Sequence, residues 1–499
     1  MNIGEVLNGV YDDELGWRPA SGGVKPVHIA NGVMRAIVGR SNDITPLVEV
    51  ISWRRRGSPI EERRLDALLE KDWGDAIKAF ADDAPGFERA RRYLHGVLAA
   101  DGAVFPSPEH SSVTLTCAQM ASRDGNDRGL GEFGFFLLGG DRQSPLPKLL
   151  ADRMLVDRPT DPVTIAAWPL LVGDGRPAKL SERSSHSLKK KHSQTILAEF
   201  RAAASSLVSH EETQGNRLRS LERTVHFVCV ATHAHAQAVA ANGKLDTRPP
   251  ALLVAEAAKG SDLAIASERS LRLIHDRFGQ WLAERLADRL NAGKPCTDDE
   301  VLEVPSGTDG REFRKILRTI GVAKKPHEEP DEDVLDARMS AFNEARRRFG
   351  KDEPAACLGA TLVECYLREY ESGGPREALT RLCARAGLLY PHYQGRSTEK
   401  RFQPSAPVLD MLVRACVTAN EAIPLTEFLE RLWHRFGLIA GDRRNDHWDD
   451  GAYLHEHGLA VDPGRLRANT DALVSQLVTM GLARRYPDNV TFIGAAHAG

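Results

Sequence analysis

Apolar residues recur three or four positions apart along much of this chain, and the pattern is cleanest near its end. Val408, Leu409, Leu412, Val413 and Cys416 predict one amphipathic helix. Leu425, Phe428, Leu429, Leu432, Trp433 and Phe436 predict a second, and Leu466, Leu473, Leu477 and Met480 a third. Two short runs, Leu482–Tyr486 and Val490–Ile493, flank Pro487-Asp488-Asn489 and predict a closing β-hairpin.

Upstream, Ser267–Asn291 carries the best helical stripe: Leu271, Ile274, Phe278, Trp281, Leu282, Leu286 and Leu290, with Gly293 placed to end it. Glu211–Ala241 reads as a helix through Leu218, Leu221, Val225, Val228, Thr232, Ala236 and Val239. Pro249-Pro250 then blocks helix, and Ala251–Ala255 reads as a short apolar strand. Further helices are predicted over Arg311–Thr319, Val334–Phe349, Ala355–Glu371 and Arg376–Ala386.

The first 175 residues alternate less regularly. Strands are predicted over Val27–Val38, Pro46–Trp53, Ser112–Met120, Phe133–Leu138 and Val163–Val172, with helices over Pro59–Phe80 and Phe87–Ala99. Gly173–Lys191 is polar and reads as an exposed linker, and the charged, proline-bearing stretch 323–333 reads as a boundary. The expected class is α+β: a mixed domain over 1–175, a mainly helical domain over 176–322, a linker over 323–333, a helical segment over 334–403 and a winged helix-turn-helix-like domain over 404–499. The length of 499 residues fits roughly three domains of ~150 residues.

Charge bears on what the last domain touches. In a winged helix the third helix enters the DNA major groove, and Arg465, Asn469 and Gln476 share one side of it. Arg and Asn read guanine and adenine edges bidentately. Arg484 and Arg485 lie where a wing strand meets phosphate. The expected nucleic-acid contacts are therefore Arg465, Asn469, Arg484 and Arg485. Yet residues 391–499 hold 12 Lys/Arg against 13 Asp/Glu, and the whole chain carries a net charge of -3. Phosphate neutralisation supplies much of DNA affinity, so protein docking or a purely structural role stands as an equal alternative. Other basic groups, Arg54–Arg56 with Arg63 and Arg64, Lys189–Lys191, and Arg314, Lys315 and Arg318, form a common phosphate surface only if the fold joins them.

Catalytic signatures are missing. Gly129-Leu130-Gly131-Glu132-Phe133-Gly134 spells G-x-G-x-x-G, but the dinucleotide motif needs a preceding strand and a following helix, and here a strand is expected to follow. There is no P-loop and no G-x-S-x-G elbow. Glu256 and Lys259, three apart on a strand, face opposite sides and do not make a nuclease pair. His226 and His233 sit ~10.5 Å apart along a helix axis, while His233 and His235 point ~160° apart, so neither pair shares a metal. The segment 442–457 is dense in carboxylates and imidazoles, the one candidate for metal ligands, although its spacing compels none. No metal or other cofactor is expected. The seven cysteines include no C-x-x-C pair and read as reduced core residues. No apolar run reaches the ~18 residues of a membrane helix, so no membrane partner is expected. Met1-Asn2-Ile3-Gly4-Glu5 lacks the basic and apolar regions of a secretory signal, so a cytoplasmic location is expected.

The run Lys400-Arg401-Phe402-Gln403-Pro404-Ser405, the helix VLDMLVRACV, the segment LTEFLERLWHRFGLIAG and the closing helix–hairpin resemble accessory proteins of bacterial antiphage defence systems of the methylation-associated kind. Arg248–Leu253 and the Ser267–Leu290 helix add to the likeness, which spans about a third of the chain. The resemblance implies a non-catalytic component of a multi-protein system that recognises foreign or differently modified DNA, and it brings no catalytic residues. The expectation is thus a non-catalytic DNA-sensing or scaffolding subunit. The alternatives are a protein-interaction adaptor that does not touch DNA and a metal-dependent enzyme with a scattered site.

Overall fold

The computed structural model describes residues 1–19, 24–43, 115, 117–122, 127–156, 164, 168, 171–178, 180, 182–214, 216–255, 260–296, 300–323, 325, 327–350, 352–370, 374–392, 399–445, 448–487 and 490–494. The described residues are mostly helical with a few small sheets, a mixed α+β composition. It divides into two compact units, one formed by 25–181 and 211–226, the other by 1–24, 182–210 and 227–499.

In the unit that includes residue 25, α1 (Pro26–Val38) leads into β1 (Arg40–Asp43), then α2 (Leu130–Leu137), α3 (Pro145–Met154) and β2 (Val172–Pro177). The strand expected over Val27–Val38 is therefore a helix. Pro26 occupies its first turn, Gly39 ends it in the left-handed region, and most of its residues are buried. A helix buried on most sides loses the polar face that reveals its period, and its β-branched residues mimic a strand. The same holds for Phe133–Leu138, expected as a strand and found within α2 with Phe133, Phe135 and Leu137 all buried. The two helices cross closely at glycine: a Cβ on Gly131 would lie 2.5 Å from the Gly32 Cα. Arg35 and Glu132 pair across them at 2.8 Å. β1 and β2 run antiparallel, with Arg40 opposite Pro177. Of the strand expected at Ser112–Met120, Ala118–Met120 is a helical turn. The expectations over 46–53, 59–80 and 87–99 lie outside the described residues.

Two long helices follow, α5 (Lys191–Gln214) and α6 (Arg217–Ala240), preceded by the short α4 (Glu182–Leu188). The polar 173–191 stretch, expected as a linker, thus carries most of β2, all of α4 and the first residue of α5. Within the first unit, Glu211 accepts Arg223 at 2.6 Å and lies 3.4 Å from Arg153.

The larger unit is built around one short buried strand, β3 (Ala251–Leu252), and one long helix, α7 (Asp262–Asn291). Ala251–Val254 are completely buried. Helix α7 begins at Asp262 rather than Ser267, capped by the Ser261 hydroxyl at 3.3 Å from Ala264 N. The added first turn does not continue the stripe cleanly, since Leu263, Ala264 and Ala266 are buried while Ile265 is exposed. Two small polar residues of the helix face the strand. Ser267 Oγ donates to Leu252 O at 2.7 Å, and Ser270 Oγ accepts from Leu252 N at 3.1 Å. Next come α8 (Gly310–Thr319), α9 (Glu332–Phe349), α10 (Pro354–Glu369) and α11 (Pro375–Ala386), close to expectation. Arg338 of α9, 1% exposed, donates to the carbonyls of Leu317 at 2.6 Å and Ile320 at 2.7 Å, and pairs with Glu369 of α10 at 2.7 Å. This clamp binds the helices before and after the 323–333 stretch, and Ala323 N itself donates to Glu369 at 3.1 Å.

The chain then runs through β4 (Leu389–Tyr390), β5 (Arg401–Phe402), α12 (Ala406–Cys416), β6 (Ile423–Pro424), α13 (Leu425–Phe436), β7 (Leu438–Ile439), β8 (Arg444–Asn445), β9 (Trp448–Asp449), α14 (Asp450–Glu456), α15 (Pro463–Thr479), β10 (Ala483–Arg485) and β11 (Thr491–Ile493). β3 pairs in parallel with β7, and Val254 N donates to Phe402 O at 2.7 Å. The last strands form an antiparallel three-stranded sheet in the order β10–β11–β6. All seven cysteines are buried thiols, and none is in a disulfide. Among the described residues no helix is long and apolar enough to cross a membrane.

Candidate nucleic-acid interface

The local sequence sets α15 firmly in place. Asp462 caps it, accepting from Gly464 N at 2.9 Å and Arg465 N at 3.1 Å, and Pro463 fills the first position. Leu466, Leu473, Val474 and Leu477 bury its inner face. Leu466 joins Leu252, Val254, Trp433, Ile439 and Tyr453 in one apolar cluster, so the helix packs on the central strand of the larger unit.

The structure separates the residues expected to meet DNA. Arg465 at the start of α15 and Arg484 in β10 are exposed, with no ion-pair partner among the described residues. Arg485 is exposed and lies 3.7 Å from Asp471 of α15. Asn469 is elsewhere: it is 2% exposed. Its Oδ1 accepts the Ala255 N–H at 2.9 Å, and its Nδ2 donates to the carbonyls of Leu253 and Ala440, both at 2.9 Å. Gln476 likewise reaches inward, donating to Ala255 O at 2.9 Å. The side of α15 bearing Asn469 and Gln476 is thus the docked side. Helical spacing put these amides on one face, but it did not say that the strand ending at Ala255 lies against that face.

The outward surface is mixed in charge. Arg467 Nε and Arg444 Nε both bond the Asp442 carboxylate, each at 2.9 Å. Tyr486 and Val490 beside the hairpin turn, and Val478 late in α15, are the exposed large apolar residues of this region, each a little over 40% exposed.

The segment between α13 and α15 folds as a hairpin and a short helix. Asp450 and Arg443 form a buried pair at 3.0 Å, and Trp448 Nε1 donates to the same carboxylate at 2.6 Å. Burial pushes the Asp450 carboxyl above its ordinary value, opposed by Arg443 and Trp448. No group of three metal-ligating side chains comes together among the described residues. A cleft of about 480 Å³ beside the start of α15 is lined by Arg444, Asp449, His455, Val461, Asp462 and Pro463. Asp449 and Asp462 already cap α14 and α15.

Other sequence candidates are occupied or lie apart. Arg314 pairs with Asp336 at 2.9 Å and with Glu332 at 2.5 Å, and Arg318 also pairs with Glu332. Of Arg314, Lys315 and Arg318 on α8, two are therefore paired with α9, while Lys315 is exposed. Lys190 pairs with Glu14. His233 and His235 are buried on α6, with His235 Nε2 3.1 Å from Ser193 Oγ. Arg54–Arg56, Arg63, Arg64, Glu256 and Lys259 lie outside the described residues. Gly131 serves the helix crossing described above, and a helix, α2, follows Gly129 where a strand was expected. Sequence reasoning missed Arg248 and Arg338, because a single arginine carries no local sign of burial.

No family model, curated protein or solved structure matches the chain.

Proposed function

We propose that the chain is a non-catalytic DNA-contacting subunit of a multi-protein system, and that residues 404–499 are its winged-helix module. The observation that carries this reading is the order α12–β6–α13–α15–β10–β11 with a sheet ordered β10–β11–β6. In a winged helix the strand after the first helix joins the closing hairpin, as β6 does here. Arg465 at the front of the third helix and Arg484 and Arg485 on the wing are the cations this arrangement presents. With Asn469 and Gln476 bound inward, the contact is made to phosphates rather than to base edges. Binding should therefore show little sequence preference and a strong dependence on salt. Titration of the full chain with duplexes of unrelated sequence, by fluorescence anisotropy at two salt concentrations, tests this. Equal affinities that fall together with salt support it; the absence of binding at low salt refutes it.

A second reading, a protein-interaction adaptor, is favoured by the exposed Val478, Tyr486 and Val490 and by the near-balance of charge in this region. Aromatic and apolar anchors typically carry protein interfaces. That reading expects a co-purifying subunit that the variant Val478→Asp/Tyr486→Ser releases, with the arginine variants retaining it.

A further inference from the structure

Arg248 is completely buried, and none of its three side-chain nitrogens has a hydrogen-bond partner among the described residues. Its guanidinium carbon lies 4.5 Å from the ring centre of Trp433. The Nε1 of that same indole is buried and unpartnered as well. Gln237 Oε1, a buried acceptor without a donor, flanks the site: a Cβ on Gly437 would lie 2.7 Å from it and 3.2 Å from Arg248 Nε. Glycine at 437, with φ near 68°, leaves that space to the two polar groups. The main chain around Arg248 is fixed, since Tyr453 Oη donates to Arg248 O at 2.7 Å and to Asp246 O at 3.0 Å.

A guanidinium offers five donors and no acceptor. Burying it unpaired carries a large desolvation penalty, of which a cation–π contact with an aromatic ring returns only a part. Burial lowers its pKa to about 9, so it stays charged at neutral pH. Glu199 and Asp246 favour that charge from nearby, yet neither accepts a hydrogen bond from it. Arg443, the next cation, is held by Asp450 at 3.0 Å, with its Nε also buried and unpartnered. Donors outnumber acceptors here, and most belong to a flat fork lying over an indole ring.

We propose that Arg248, with Trp433 Nε1 beside it, forms a buried receptor for a small oxyanion of the carboxylate or phosphate class. A planar fork matches two oxygens of such a group bidentately. The depth of the site excludes a polynucleotide, so it is separate from the DNA contact proposed above. Entry requires local opening, so binding is slow.

The test uses the dialysed full chain. Thermal unfolding is followed with inorganic phosphate and, separately, acetate, each against sodium chloride at equal ionic strength. The proposal expects a saturable rise in Tm with at least one of the two, and the responding anion identifies the class. Arg248→Met should abolish the rise. Trp433→Phe, which keeps a ring and removes one donor, should weaken the apparent affinity about tenfold, and it decides the matter if Arg248→Met does not fold. No saturable rise with either anion in the wild type, or an undiminished rise in Trp433→Phe, overturns the proposal.

Discussion

Asn469 on α15 and Leu253 beside β3, 216 positions apart in sequence, are joined by a 2.9 Å hydrogen bond from the Asn469 amide to the Leu253 carbonyl. The other side of the same amide accepts from Ala255 N, also at 2.9 Å. One side chain thus satisfies main-chain groups at the end of a buried strand, where among the described residues no further strand serves them. Asn469→Ala leaves those groups buried without partners, at about 1–3 kcal/mol each. The variant should lose at least about 2 kcal/mol of stability, read as a lower urea midpoint with unchanged m-value. Its DNA affinity, measured below its melting range, should equal the wild type's.

Arg338 holds three stretches of chain through one guanidinium, with Glu369 as its only carboxylate among the described residues. Removing one partner of a buried pair strands the other, at about 3–5 kcal/mol. Arg338→Met should reach that range in chemical denaturation. The double variant Arg338→Met/Glu369→Leu should lose less than the two single variants combined, and strict additivity would show that the pair is not coupled.

The crossing of α1 and α2 depends on glycine. Gly131→Ala places a methyl group 2.5 Å from the Gly32 Cα, against backbone that has no side chain to turn away. An overpacking loss of about 1–3 kcal/mol is expected. A wild-type Tm in this variant would mean that the two helices sit farther apart than described.

Acid sensitivity has a defined source. Burial lowers His233 to about 4 and His275 to about 3, the latter helped by the nearby charges of His233 and Arg376. Unfolded, both titrate near 6.5, so below that pH the unfolded chain binds protons that the folded chain refuses. The stabilisation these neutral rings provide is complete above pH 6.5 and is lost as the pH falls from there toward 4 and 3. Each contributes a slope of about 1.4 kcal/mol per pH unit in that window. Unfolding midpoints at pH 7.5 and 5.5 should differ accordingly, and His275→Gln should flatten the dependence.

Much of this architecture was readable because an exposed face makes the helical period visible. α8, α9, α11, α12 and α13 fall within a few residues of their expected bounds, each with charged residues opposite its apolar stripe. Val27–Val38 and Phe133–Leu138 look like strands in the sequence because burial removes that contrast. The site was less legible. Arg465, Arg484 and Arg485 were placed on the surface from their register alone. Asn469 was placed there too, since nothing local distinguishes an amide that reads a base from one that ties a strand. Its partner, β3, is distant in sequence, and only the tertiary fold brings the two together.

The central claim is phosphate contact through Arg465, Arg484 and Arg485, and the most direct test is the salt slope of DNA binding for the wild type and for the triple alanine variant. Three neutralised phosphates give a log–log slope of about -2.7, or about 40-fold weaker binding between roughly 50 and 200 mM salt. The account predicts that slope for the wild type, equal on unrelated duplexes, and a nearly flat, weaker curve for the triple variant. A triple variant that binds DNA with the wild-type slope would contradict it.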